Sequence, residues 1–305
     1  MFRKWAPRFG LAVLAILLTL AAVEFVLKGH VPSSGSDDFL GPPPTGVKVP
    51  YAPIAGADVQ FEGHYVKIAP TRVKISKQRI RSEKEYAIPK PPGITRVVAL
   101  GDSFVFGSGV EVQQTFLKQW ESGLQEVQVI NLGVPGYTST HAVTWFEQLG
   151  IPLQPDAAVL FISDNDFYDE GRDRLAERRE KGESWATERY VKSRLDRKEK
   201  AESSWRKDPT KVLNRLSSAI VRFKSLCKKA GIAWRVFVLF PHELDNEISD
   251  IEPSVTRLAD SSYLKEIKSL QIAGDLHPNE QGHARLAALL HKALNSWMKS
   301  LTSSR

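Results

Sequence analysis

The chain has one cysteine, Cys227, among its 305 residues. That count excludes an intrachain disulfide and any metal site assembled from cysteines. Glycine-rich phosphate cradles are missing as well: neither GxGxxG nor GxxxxGK followed by Ser or Thr occurs, so a nucleotide would find no seat at a helix start. Gly101-Asp102-Ser103 runs on into Phe104 and Val105, which is not the GxSxG elbow of the α/β-hydrolases. No internal repeat is present. Residues 1–8 hold no acidic side chain, only Arg3, Lys4 and Arg8 as charges. The formal charge of +7 comes with no base-reading motif, so it reads as a solvated basic surface and no nucleic-acid partner is expected.

What is present begins with an apolar run, Gly10 to Leu27, whose only ionisable residue is Glu24. The run is close to the ~20 residues needed to cross a ~30 Å hydrocarbon core. Its basic flank orients the N-terminus toward the cytoplasm. A cleaved signal peptide is the rival reading, but no small-x-small cleavage site follows and the run exceeds a typical signal core. The expected organisation is a cytoplasmic tail at 1–8 and a transmembrane anchor at 9–28. A Pro/Gly/Ser-rich spacer and small β pre-region at 29–92 follow, with a hairpin around Val73–Ser76, and then a catalytic domain at 93–300. On this reading the protein is a single-pass inner-membrane protein whose catalytic domain lies on the periplasmic side.

From residue 93 the pattern alternates. Strands are expected at Arg96–Leu100, Val127–Leu132, Ala157–Ile162, Trp234–Leu239 and Ser269–Ala273, with helices at Val112–Leu124, Thr138–Leu149, Val212–Ala230 and Glu280–Leu301. Strands separated by helices imply an α/β fold, a central parallel sheet with helices on both faces. Helical spacing places Leu286, Leu290, Leu294, Trp297 and Leu301 toward the core. Leu213, Leu216, Ile220, Phe223 and Cys227 share a face in the same way, which makes Cys227 a packing residue. A densely charged stretch at 169–211, with Trp185, Tyr190 and Trp205 spaced through it, reads as an exposed helical insertion. It is either a solvated lid or arm, or a segment whose aromatics and arginines contact a substrate or a protein partner.

The chemistry-bearing residues sit just after strands. The run Val97-Val-Ala-Leu-Gly-Asp-Ser103 delivers a hydroxyl to the C-terminal end of a buried strand, the crevice where open α/β sheets bind ligands. A serine nucleophile needs a base, an orienter for the base and donors for the oxyanion. Asp275-Leu276-His277-Pro278-Asn279 offers His277 as base and Asp275 as orienter, in the manner of a Ser-His-Asp triad. Oxyanion donors would be the Ser103 backbone N–H, the Gly136 backbone N–H within Asn131-Leu-Gly-Val-Pro-Gly-Tyr-Thr-Ser139, and the Asn165 amide within Ser163-Asp-Asn-Asp166. Each of the latter two is unremarkable as a turn residue by itself. Their occurrence in order, each after its own strand, is what gives them weight. His277, His283 and Asp275 could in principle hold a metal, but His283 falls on the final helix and packs, so no metal or cofactor is expected.

These same blocks, GDSFVFGSGV, NLGVPGYTS, the Asn-Asp of SDND and DLHPN, resemble in order the motif blocks of the SGNH (GDSL) hydrolases, over residues 73–298 with the charged insertion between. The resemblance implies a flavodoxin-like three-layer α/β/α sandwich, Ser103 as nucleophile, Gly136 and Asn165 completing the oxyanion hole, and His277 as base paired with Asp275. It departs in two places. Ser163 stands where the family's third block often has glycine, and the Asp-to-His spacing is one residue shorter than in the commonest form. The implied function is a membrane-anchored serine esterase removing, or transferring, small acyl groups on a cell-surface or secreted carbohydrate or another ester. An O-acyltransferase of polysaccharide synthesis would use the same residues. A non-catalytic glycan-binding or assembly protein is the alternative from another class.

Overall fold

A computed structural model describes residues 6–29, 38–63, 66–167, 187, 190–191 and 208–303. Helix α1 (Ala6–Lys28) is apolar on every side. Its Leu11–Lys28 window has a mean hydropathy of 2.3, long and apolar enough to cross a membrane, a test that a signal sequence also passes. Leu11, Leu14, Leu17, Leu18 and Leu20 are all exposed, whereas Glu24 is 7% exposed. Its carboxylate accepts from the Thr187 backbone N–H and hydroxyl, both at 2.9 Å. Apart from Thr187, Tyr190, Val191 and residues 208–211, the charged stretch 169–211, including Trp185 and Trp205, lies outside the described residues.

Two small antiparallel ribbons precede the main sheet: β1 (Leu40–Gly41) with β2 (Ala52–Pro53), and β3 (Asp58–Phe61) with β4 (Thr71–Lys74). Of the stretch read as a spacer, residues 30–37 lie outside the described residues, while Phe39, Leu40, Val49 and Tyr51 are buried. They join one of the two main core clusters.

The central sheet has five strands, β5 (Thr95–Leu100), β6 (Val127–Asn131), β7 (Ala157–Ile162), β8 (Ala233–Val238) and β9 (Thr256–Arg257), in the order β6-β5-β7-β8-β9. All four pairings are parallel. Numbered within the sheet this is 2-1-3-4-5, the flavodoxin-like winding, whose direction reverses between the first and third strands. The first four strands begin and end close to where the apolar runs place them. The last does not. Ser269–Ala273 forms no sheet strand. The Ile272 N–H donates to His277 O and the Asn279 N–H to Leu270 O, so this segment folds back on the residues that follow it. The free edge of β8 is taken instead by Thr256 and Arg257.

Alternation along each strand feeds two cores. Val98, Leu100, Ile130, Leu160 and Ile162 face one side. There they meet α4 (Ser139–Trp145) and α5 (Pro209–Ala230), which presents Val212, Leu216, Ala219, Ile220, Phe223 and Cys227. Burial pushes the Cys227 thiol up to about 12, so it packs as an inert small hydrophobe. Val97, Ala99, Val129, Val159 and Phe161 face the other side. They pack on α3 (Phe116–Ser122) and α6 (Glu280–Ser303) through Phe116, Trp120, Leu286, Leu290, Leu294 and Met298. The helix expected from Val112 is split at Thr115, whose extended backbone ends a 3₁₀ turn and whose side chain caps α3. The helix after Thr138 loosens to a π-turn over Phe146–Gly150, ahead of Pro152.

Candidate active site

The short helix α2 (Ser103–Phe106) starts directly after β5. Asp102 is its N-cap, with Oδ1 accepting from the Phe104 N–H at 2.9 Å. Ser103 is therefore the first helical residue. Among the described residues its own N–H is an orphan of the helix start.

Ser103 Oγ lies 2.7 Å from His277 Nε2, and His277 Nδ1 lies 2.5 Å from Asp275 Oδ1. The same Asp275 oxygen accepts from the His277 backbone N–H at 3.0 Å, which fixes the two-residue turn. A carboxylate at Nδ1 takes that nitrogen's proton in a hydrogen bond and leaves Nε2 as the acceptor facing the serine hydroxyl. All three side chains are nearly buried, and the Phe104 ring lies 4.9 Å from the imidazole. The fold-back of Ser269–Ala273 on residues 277–279 carries this pair, so acid and base arrive on a loop braced by its own backbone.

The Gly136 turn is stitched to the serine turn. The Leu132 N–H donates to Ala99 O and the Val134 N–H to Gly101 O. Asn131 Nδ2 donates to Val105 O at 2.8 Å and Phe106 O at 3.3 Å, and its Oδ1 receives the Gly133 N–H. Gly133 sits so close that a Cβ there would lie 2.4 Å from Phe106 N, so no side chain fits. Gly136 has φ of +81°, open to glycine at no cost, and its N–H makes no hydrogen bond among the described residues. Tyr51 Oη donates to Pro135 O at 2.9 Å and Tyr137 Oη to Tyr51 O, so the pre-region braces this turn from behind.

Asn165 lies in the 3₁₀ turn Asp164–Phe167 after β7. Its Nδ2 donates to Asp102 Oδ2 at 2.6 Å, and the Ser163 hydroxyl donates to the same oxygen at 2.6 Å. The structure thus gathers the serine, glycine and asparagine turns at the reversal point of the sheet. His277 and Asp275 come to the serine from the far end of the chain.

Three further groups, Asp166, Arg81 and Asp102, hold these turns and were given no role in the sequence reading. Asp166 is buried and accepts from the Ser139 N–H at 2.5 Å and the Ser163 N–H at 3.0 Å, tying the second block to the third. Burial, with a smaller push from Asp102, lifts its carboxyl to about 6. Arg81, also buried, donates to Phe106 O, Gly107 O and Val110 O at 2.5–2.9 Å, pinning the backbone beyond α2. Burial lowers its guanidinium to about 10. Of these, Asp102 had a signal that could have found it, an aspartate directly before a helix start. Asp166 and Arg81 had no such signal, because their partners are backbone groups supplied by distant segments.

His283 packs as expected. It is fully buried, its ring stacks on Phe116, and its Nδ1 accepts the Phe116 N–H at 3.2 Å. Burial pushes its imidazole down to about 3, so it stays neutral. Among the described residues no group of three or more His, Cys, Asp or Glu side chains is placed to hold a metal ion.

Residues 99–285 match the GDSL-like Lipase/Acylhydrolase family. Similar solved structures include a lipase/acylhydrolase from Enterococcus faecalis, 15% identical with a TM-score of 0.43, covering 67% of this chain and 96% of that one. A psychrotrophic esterase from Pseudoalteromonas sp. is 12% identical with a TM-score of 0.43, covering 67% and 99%. A two-domain esterase active on acetylated mannans is 15% identical with a TM-score of 0.45, covering 69% of this chain and 50% of that one. No curated protein matches the chain by sequence.

Proposed function

The chain belongs to the GDSL-like lipase/acylhydrolase family and is a hydrolase acting on esters, and from that premise we propose that it works through an acyl-enzyme on Ser103. His277 Nε2 takes the hydroxyl proton as Oγ attacks the ester carbonyl. The same proton then passes to the leaving alkoxide as the C–O bond breaks. Water, deprotonated by the same imidazole, resolves the acyl-enzyme and frees the serine. Asp275 keeps Nδ1 protonated and balances the transient imidazolium. The negative oxygen is met by the N–H groups of Ser103 and Gly136 and by the Asn165 amide. The observation that carries this reading is the unbroken line from Ser103 through His277 to Asp275, at 2.7 and 2.5 Å.

The substrate we infer is a small acyl ester on extracytoplasmic carbohydrate. Support comes from the apolar N-terminal helix with its basic flank, which would place the catalytic domain on the periplasmic side of the inner membrane. The bond between Glu24 and Thr187 favours a helix that remains part of the protein, because a cleaved leader needs no partner in the mature chain. A sugar hydroxyl in place of water would turn the same site into an O-acyltransferase. A non-catalytic glycan-binding role has no use for a hydrogen-bonded serine and histidine.

The test is labelling of the detergent-solubilised chain by a fluorophosphonate, with turnover of a short-chain aryl ester and product analysis in the presence of acceptor sugars. Labelling and turnover that vanish in Ser103→Ala are expected. Equal labelling and turnover in that variant would overturn the reading.

A further inference from the structure

We propose that Tyr51 is a positioning residue whose hydroxyl holds the Pro135–Gly136 peptide in the plane that aims the Gly136 N–H at the oxyanion. The proposal rests on reading Gly136 as an oxyanion donor and adds the device that aims it. Val134 to Tyr137 form a β-turn, closed by the Tyr137 N–H on Val134 O at 3.1 Å. Proline in its second place and a φ of +81° at Gly136 in its third make it type II. The central peptide of such a turn can rotate by roughly half a turn to give type I, in which the third residue has φ near about −90°. Glycine accepts either sign at little cost, so the residues of the turn alone do not choose.

That rotation would reverse the donor. A trans peptide is planar and points its C=O and N–H in opposite directions. A flipped turn would therefore offer the Pro135 oxygen where the negative charge forms. Tyr51 opposes this by donating to Pro135 O at 2.9 Å, on the side away from the Gly136 N–H. Pro135 is buried and Gly136 partly exposed, as that division of the peptide requires. The Tyr137 hydroxyl in turn donates to Tyr51 O, and the two rings lie 5.5 Å apart, each residue 1% exposed. Burial lifts the Tyr137 phenol well above its ordinary value, so it stays a donor. Tyr51 thus grips the turn at its centre and its end, from 84 residues upstream and outside the family-matched segment 99–285.

Tyr51→Phe deletes the bond and keeps the ring. The readouts are kcat and KM for a short-chain aryl ester, the pH profile of kcat/KM and the melting temperature, all on the detergent-solubilised full chain. Losing an oxyanion donor outright costs ~10²–10³ in rate, so a donor aimed correctly only part of the time should cost about tenfold. Tyr51→Phe is expected to show that loss in kcat, with KM and the midpoint of the pH profile unchanged, since His277 and Asp275 keep their contacts. Tyr137→Phe is the control. It removes one hydrogen bond from the same buried pair and should lower the melting temperature similarly, yet lower kcat no more than about threefold. The donor itself is read in the wild type. The Gly136 amide-proton resonance should move once a fluorophosphonate has labelled Ser103, because the phosphoryl oxygen of the adduct takes the oxyanion's place.

Wild-type kcat in Tyr51→Phe, a shifted pH midpoint, or an equal loss of kcat in the two variants would each overturn the proposal. If Tyr51→Phe fails to fold, a loss of about tenfold in Tyr137→Phe still overturns it. A Gly136 resonance that labelling leaves in place would overturn the donor reading beneath it. Turnover surviving in Ser103→Ala would instead overturn the esterase reading.

Discussion

Asp166 and His283 are buried groups of opposite tendency, and their titrations oppose each other. Asp166 has its carboxyl raised from 3.8 to about 6, so the folded chain holds that proton more readily than the unfolded chain. Its contribution favours folding at low pH and is lost as pH rises from about 4 to 6, by about 3 kcal/mol at 1.36 kcal/mol per unit. His283 has its imidazole lowered from 6.5 to about 3, so the unfolded chain takes that proton first. Its contribution is complete above pH 6.5 and is lost as pH falls, again by about 3 kcal/mol between pH 6 and 4. The two slopes cancel across that window. Asp166→Asn removes one of them, because the amide does not titrate. The measurement is urea denaturation of the detergent-solubilised full chain at pH 4, 5 and 6, wild type against Asp166→Asn. The variant is less stable throughout, since the amide cannot accept both N–H groups. The informative quantity is the slope: the difference between the two proteins should widen by about 3 kcal/mol from pH 6 to pH 4. Parallel curves would refute the assignment of a raised carboxyl to Asp166.

Arg81→Met should lower unfolding free energy by roughly 3 kcal/mol, because three buried carbonyls, those of Phe106, Gly107 and Val110, lose their donors. Urea denaturation within about 1 kcal/mol of wild type would show that those carbonyls find other partners. For the N-terminal helix, carbonate-washed membranes should retain the protein with residue 1 or 2 at its N-terminus. Soluble protein trimmed within α1 would assign that helix to a leader.

The parts of the molecule legible in the sequence are those whose signal is local. Val97–Leu100 and Ala157–Ile162 are apolar runs too short for helices and end in turn residues, and they became the sheet centre. The Asp275–His277 turn was readable because both side chains lie within two residues of each other. Ser269–Ala273 was misassigned because an apolar run says nothing about what pairs with it. Only in the fold do His277 and Asn279 outcompete the sheet edge for its backbone. Asp166 has no local sign of burial, since it stands in the polar run Ser163–Asp166. Its burial depends on Ser139 arriving from another strand's turn.

Ser103 and His277 stand 174 residues apart along the chain. At ~5–20 residues per second of synthesis, the serine precedes its base by roughly 10–35 s. Throughout that interval the nascent chain carries a hydroxyl of ordinary reactivity. The α6 helix that buries His283 against Phe116 follows residue 277 in the chain. If Ser103 and His277 act as proposed, reactivity is a property the chain acquires only once residue 277 has joined the fold, and a product truncated before it would carry the serine without esterase activity.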